Sequence, residues 1–170
     1  MEIKKVNIKE KFGFINEFWS PHIVGDLNEN YVKLAKIKGE FIWHQHENED
    51  EMFLVVKGNF DMHIKLNCDD ENLEVGEKNC EKNRLRIPDV SGQDKKTKSE
   101  DKGIENGCEE VSIEKIINIK EGEFIVIPNG VIHKPVAMEE VHLLLIEPKT
   151  TLNTGNQKES ELTKNKLKYI

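Results

Sequence analysis

Apolar and polar residues alternate with period two along much of this chain, the signature of half-buried strands. The clearest case is 59–66, where Phe60, Met62, Ile64 and Leu66 share one face while Asn59, Asp61, His63 and Lys65 share the other. Comparable runs predict strands over 14–19, 31–37, 40–46, 51–56, 112–119, 123–127, 131–136 and 141–147. The first two are joined by a loop containing Pro21 and Gly25, and Lys57-Gly58 and Pro128-Asn129-Gly130 supply tight turns. Many short strands with turn residues between them imply an all-β sandwich or barrel.

The alternation lapses in two places. Residues 67–111 carry 13 acidic and 8 basic side chains in 45 positions, with only ten apolar ones. Too little apolar surface is available there to offset the entropy of ordering. The segment therefore reads as a charged, flexible insertion interrupting a barrel domain of residues 1–150. Its charges read as a solvated surface, and Cys68, Cys80 and Cys108 as independent reduced thiols, since no C-x-x-C spacing makes a zinc site. Beyond it, 151–170 reads as a short polar C-terminal tail, with one short helix over 160–168 capped by Ser160.

Charge and composition narrow the function. The net charge of -7 opposes a nucleic-acid partner. No apolar run approaches the roughly 20 residues of a membrane span. The N-terminal residues lack the apolar core of a secretory signal, and an odd number of cysteines suits a reducing compartment. A cytoplasmic protein is expected.

Candidate chemistry is concentrated in His44-Gln45-His46, followed by Glu51 and, far downstream, His133. On an extended strand, histidines at i and i+2 point the same way. A hairpin through the acidic turn 47–50 brings Glu51 alongside them. Imidazoles and a carboxylate converging on one point suit a divalent transition metal: Fe, Mn, Ni, Zn or Cu. Trp43 and Gln45 alternate with these residues and point the other way, so Trp43 reads as a dimer contact. His63 reads as solvated, and His142 as a core or edge histidine, with a place beside the metal as the alternative.

These residues resemble the two motifs of the cupin superfamily. The first is matched by Gly39, His44, His46, Glu51 and Gly58, the second by Gly122, Pro128, Gly130 and His133. Finer resemblance, around Trp19-Ser20-Pro21 and Leu152-Asn153-Thr154-Gly155-Asn156, is to small single-domain members called mannose-6-phosphate-isomerase-like. The resemblance implies a double-stranded β-helix, a jelly-roll barrel, with one metal in its mouth on His44, His46, Glu51 and His133. It also implies a homodimer. Three departures stand out: a gap of four residues between Gly39 and His44, Ala137 where an asparagine often closes the second motif, and 63 residues between Gly58 and Gly122.

The expected function is that of a small metal-dependent enzyme, oxidoreductase or isomerase, acting on a small oxygen-bearing molecule. Its catalytic residues beyond the ligands are not legible; Glu47 and Asp50 read as turn residues. Ile42, Phe53, Met62 and Phe124 are expected to wall the pocket. The alternative is a non-catalytic module that binds a small molecule or a metal, with a third reading in which the insertion meets a protein partner.

Overall fold

The computed structural model describes residues 3–67 and 112–170. The insertion reading, its three cysteines and its partner reading thus fall outside the described residues. The barrel forms one compact unit, Met1–Leu66 with Glu114–Ile170.

Among the described residues there are eight strands and one short helix: α1 (Ile8–Phe12), β1 (His22–Leu27), β2 (Asn30–Glu40), β3 (Glu51–Lys57), β4 (Asn59–Asn67), β5 (Ser112–Lys120), β6 (Phe124–Ile127), β7 (Ile132–Pro148) and β8 (Lys168–Tyr169). The long strand β7 organises the rest. One of its edges pairs antiparallel with β2, from Asn30↔Pro148 to Glu40↔Val136. The other edge is shared: its first part pairs with β4 and its later part with β3. β3 also pairs with β6, and β4 with β5, in the arrangement of a jelly-roll barrel.

The change of partner on β7 depends on the turn between β3 and β4. Gly58 sits there at φ 89°, and a Cβ on it would lie 3.2 Å from the Glu140 carbonyl oxygen and from Val141 Cγ2. Only glycine combines that backbone conformation with so close an approach.

Inward positions keep period two. Glu51, Phe53 and Val55 are buried on β3, and Val141, Leu143, Leu145 and Glu147 on β7. With Ala35, Ile37, Phe60, Met62, Ile64 and Ile127 they build the barrel core. A second, smaller core lies outside the sheet, where Phe12, Ile15 and Leu34 pack with Ile8, Val24, Leu144 and Ile170.

Several expectations need correction. Residues 14–19 form no strand. They follow α1, which is started by Asn7: its side chain accepts from the Glu10 backbone N–H at 3.3 Å and donates to the Glu10 carboxylate at 2.7 Å. Ile8, Phe12 and Ile15 recur at helical spacing and pack together against Leu34. Residues 22–27 are strand β1, where a loop was expected. The strands at 131–136 and 141–147 are one: Met138-Glu139-Glu140 runs through as exposed strand, where the register with β2 shifts between Ile37 and Gly39. After Glu40 the ladder ends, and 41–46 is extended chain with a single bridge, His44↔His133.

The helix over 160–168 does not form. Instead the Ser160 hydroxyl accepts from the Leu162 N–H at 3.2 Å, a local turn competing with helix. Asn153 holds the tail by donating to the Leu162 carbonyl and accepting from the Lys164 N–H, and β8 adds parallel to β1. No helix among the described residues is long and apolar enough to cross a membrane.

Candidate metal centre

His44, His46, Glu51 and His133 converge, each offering one ligand atom, all within 4.8 Å of one another and all four residues buried. Two sequence-distant segments are clamped to achieve this. The His44 N–H donates to the His133 carbonyl at 3.1 Å and the His133 N–H to the His44 carbonyl at 2.9 Å. The turn before His133 is fixed from both sides, with Gly130 N–H donating to the His46 carbonyl at 2.6 Å and Asn129 N–H to the Asp50 carboxylate at 2.9 Å. Asp50 is thus a turn residue, as read from sequence.

Hydrogen bonds on the far side of the rings set their orientation. His44 Nδ1 lies 3.0 Å from the Ile42 carbonyl and His133 Nδ1 2.9 Å from the Val131 carbonyl. A carbonyl only accepts, so each Nδ1 carries the proton and each Nε2 presents a lone pair to the centre. Glu51 Oε2 lies 3.1 Å from His46 Nε2 and 3.2 Å from His133 Nε2, within ion-pair reach. Even so, none of these three atoms has a partner in hydrogen-bond geometry.

Buried lone pairs facing a buried carboxylate are costly unless something positive sits between them. A divalent cation satisfies every atom at once, and the donor set of three imidazoles and one carboxylate suits a transition metal. The residues present therefore fit a metal.

The electrostatics agree. Burial, reinforced by the neighbouring His133, pushes His44 down to about 4, so its ring is neutral. For His46, burial works downward but the Glu51 carboxylate outweighs it and the ring is raised above 6.5. Burial likewise acts to raise Glu51, yet the His133 and His46 rings hold it well below the usual carboxylate range.

A cavity of about 50 Å³ reaches this cluster, room for a few waters. His44 and Glu51 form its polar end; Trp19, Phe41, Phe53, Leu143 and Leu145 are among its apolar walls. Of the expected wall residues only Phe53 is present. Met62 is sealed in the core, Ile42 lies outside the lining, and Phe124 is 64% exposed. On β6 the inward positions are Ile125 and Ile127, so Phe124 alternates outward.

Trp19 and Glu147 also line the cavity, beyond the wall residues expected from sequence. Trp19 holds a positive φ of 57°, with its indole N–H donating to the Lys38 carbonyl at 2.9 Å and its ring 4.9 Å from that of Phe41. Glu147 is buried in the cavity wall and bonded to the equally buried Lys33, Nζ to Oε1 2.8 Å. Burial first, then the nearby Glu51, pushes Glu147 up to about 8, against the pull of Lys33. Its parity with Leu143 and Leu145 was the available signal.

The remaining residues take other roles. His142 stacks on Phe12 outside the barrel, with ring centroids 4.3 Å apart, so it is an edge histidine and not a neighbour of the metal site. His63 pairs with Glu114 on the surface and is not simply solvated. Trp43 is covered within its own chain by Lys65 and Lys134, whose Nζ atoms lie 4.7 and 5.4 Å from its ring, and that removes the argument that it needs a second copy.

No family model matches the chain. One curated relative, the uncharacterized protein YdbB of Bacillus subtilis, is 40% identical over 35 residues, which is 21% of this chain and 31% of that protein. Among solved structures, a cupin-2 domain containing protein from Shewanella frigidimarina is 28% identical, with TM-score 0.54 over 85% of this chain and 94% of its own. Protein NMB1881 from Neisseria meningitidis is 20% identical, with TM-score 0.50 over 86% of this chain and all of its own. Hydroquinone 1,2-dioxygenase from Sphingomonas sp. TTNP3 reaches TM-score 0.56 at 10% identity, over 88% of this chain and 33% of that one, a likeness of fold alone. The chain has the cupin jelly-roll fold, and its similarity to the Shewanella protein supports the cupin superfamily.

Proposed function

We propose that this protein binds one divalent transition metal through His44, His46, Glu51 and His133 and acts as a small metal-dependent enzyme on a compact oxygen-bearing molecule. The observation that carries this reading is the set of unpartnered buried atoms, His46 Nε2, Glu51 Oε2 and His133 Nε2, converging beside a cavity that His44 and Glu51 line. When bound, such a metal supplies Lewis-acid or redox chemistry to an oxygen ligand. The chain's own residues do the rest. Ile42 and Val131 hold the rings of His44 and His133 in one tautomer through their carbonyls. Trp19, Phe41 and Phe53 keep bulk water from the cavity and confine the ligand.

On a metal that takes five or six ligands, four protein ligands leave coordination positions free, and the cavity adjoins them, which favours catalysis over storage. Isomerisation of a phosphorylated sugar is disfavoured, because the lining contains no lysine or arginine to meet a phosphate. The test is titration of metal-free protein with Co²⁺. One equivalent with visible bands altered from those of the aquo ion and displacement by Zn²⁺ is expected, and His133→Ala should lose both. An unchanged Co²⁺ spectrum in His133→Ala refutes the ligand set.

A further inference from the structure

Trp19-Ser20-Pro21 and Leu152-Asn153-Thr154 lie far apart in sequence, yet Trp19, Pro21 and Asn153 all line the cavity beside the ligand cluster. Among the described residues of that lining, every one is buried except Trp19 and Asn153, which are half-buried. The way from solvent to His44 and Glu51 therefore passes between these two side chains. Asn153 is fixed at both ends of its amide, donating to the Leu162 carbonyl at 2.9 Å and accepting from the Lys164 N–H at 2.8 Å.

Trp19 is held as firmly, but under strain. Its φ of 57° is a conformation that a bulky side chain rarely takes. Three attachments keep it there. The backbone N–H donates to the Lys36 carbonyl at 2.9 Å, the indole N–H to the Lys38 carbonyl at 2.9 Å, and the ring packs on Phe41. Such strain persists only where the surroundings over-determine it, and it gathers at ligand clamps. Glycine would make the same turn freely. What tryptophan adds is a ring at the cavity entrance.

From this we infer that Trp19 is a size filter, whose indole restricts the ligand reaching the metal to a molecule of about three or four non-hydrogen atoms. This deepens the metal reading and rests on it. The cavity of about 50 Å³ sets the limit. One water needs roughly 10–15 Å³ of such space, so only a handful of atoms fit. A ring does not.

The test uses cobalt-loaded protein, its cobalt content measured before and after, and follows the visible spectrum as azide or benzoate is added. Both are monoanions, so charge cancels in the comparison and size remains. Azide is expected to shift the bands of the wild-type protein and benzoate to leave them unchanged. Trp19→Gly keeps the positive φ without strain and removes the ring. In it benzoate should bind at least about tenfold more tightly than in the wild type, the scale of a relieved overpacked contact. Azide should stay within about threefold. If that variant does not fold, Trp19→Leu, which shortens the wall and keeps it apolar, should change benzoate binding in the same direction.

Benzoate bound by the wild type as tightly as azide, azide that does not bind, or benzoate still excluded after either replacement overturns the filter alone. Failure of the protein to take up cobalt overturns the metal reading beneath it.

Discussion

His44 and His133 exchange both of their backbone hydrogen bonds, at 3.1 and 2.9 Å, and their rings lie 4.2 Å apart between centroids. This single bridge joins the two halves of the barrel at the place where the ligand atoms meet. Loss of either imidazole should therefore leave the clamp, which is made by backbone, in place. His133→Ala should stay folded by circular dichroism yet lose metal. An unfolded variant would show that the ring, and not the backbone pair, holds the halves together.

The Lys33–Glu147 pair should behave as a buried salt bridge does when one partner is removed. Lys33→Met strands a buried carboxyl and is expected to cost about 3 kcal/mol. Adding Glu147→Leu should recover most of that loss. Urea denaturation of the two variants measures it, and a double variant no more stable than the single one contradicts the pairing.

In the metal-free protein, stability should fall as pH rises from about 6.5 to 8.5. Glu147 is raised to about 8 by burial and by Glu51, so its contribution is full below the unfolded value near 4.5 and lost as pH climbs through the folded value. His46 is raised from 6.5 by Glu51 against burial, so its contribution is also lost upward. His44 acts oppositely, but only between about 4 and 6.5. A bound cation takes the place of the His46 proton and should flatten the profile. Melting temperatures at successive pH values decide this; a metal-free profile that rises over the same window contradicts it.

Gly155 holds the C-terminal loop against the site. Its φ is 51°, and an added Cβ would lie 2.1 Å from the Gln45 carbonyl oxygen and 3.3 Å from His46 Cε1. The loop is tied there by Asn156 N–H to the Gln45 carbonyl and by Gln45 N–H to the Asn156 side chain. Gly155→Ala should cost at least about 2 kcal/mol through overpacking and backbone strain. Amide exchange at Asn156 should accelerate with it, and unchanged protection there would show the loop is held elsewhere.

Much of this was legible from sequence where residues sat in strongly periodic or closely spaced patterns. The alternation of 59–66 and the spacing of Gly39, His44, His46, Glu51, Gly58 and of Gly122, Pro128, Gly130, His133 located the barrel and the cluster. What escaped notice depends on parity and on polar residues inside. Glu147 and Lys33 look like surface charges until Leu143 and Leu145 fix the inward face. The strand β1 and the docked tail rely on pairing and side-chain-to-backbone bonds that leave no hydrophobic period. The α1 helix is a single capped turn whose Ile8, Phe12 and Ile15 were too few to stand out.

The most direct measurement is the metal content of the purified protein by elemental analysis, beside that of the double variant His44→Ala, His46→Ala. The account predicts about one equivalent of a transition metal in the first, the number a single His/His/Glu/His centre holds, and none in the second. Equal metal content in the two proteins would contradict it.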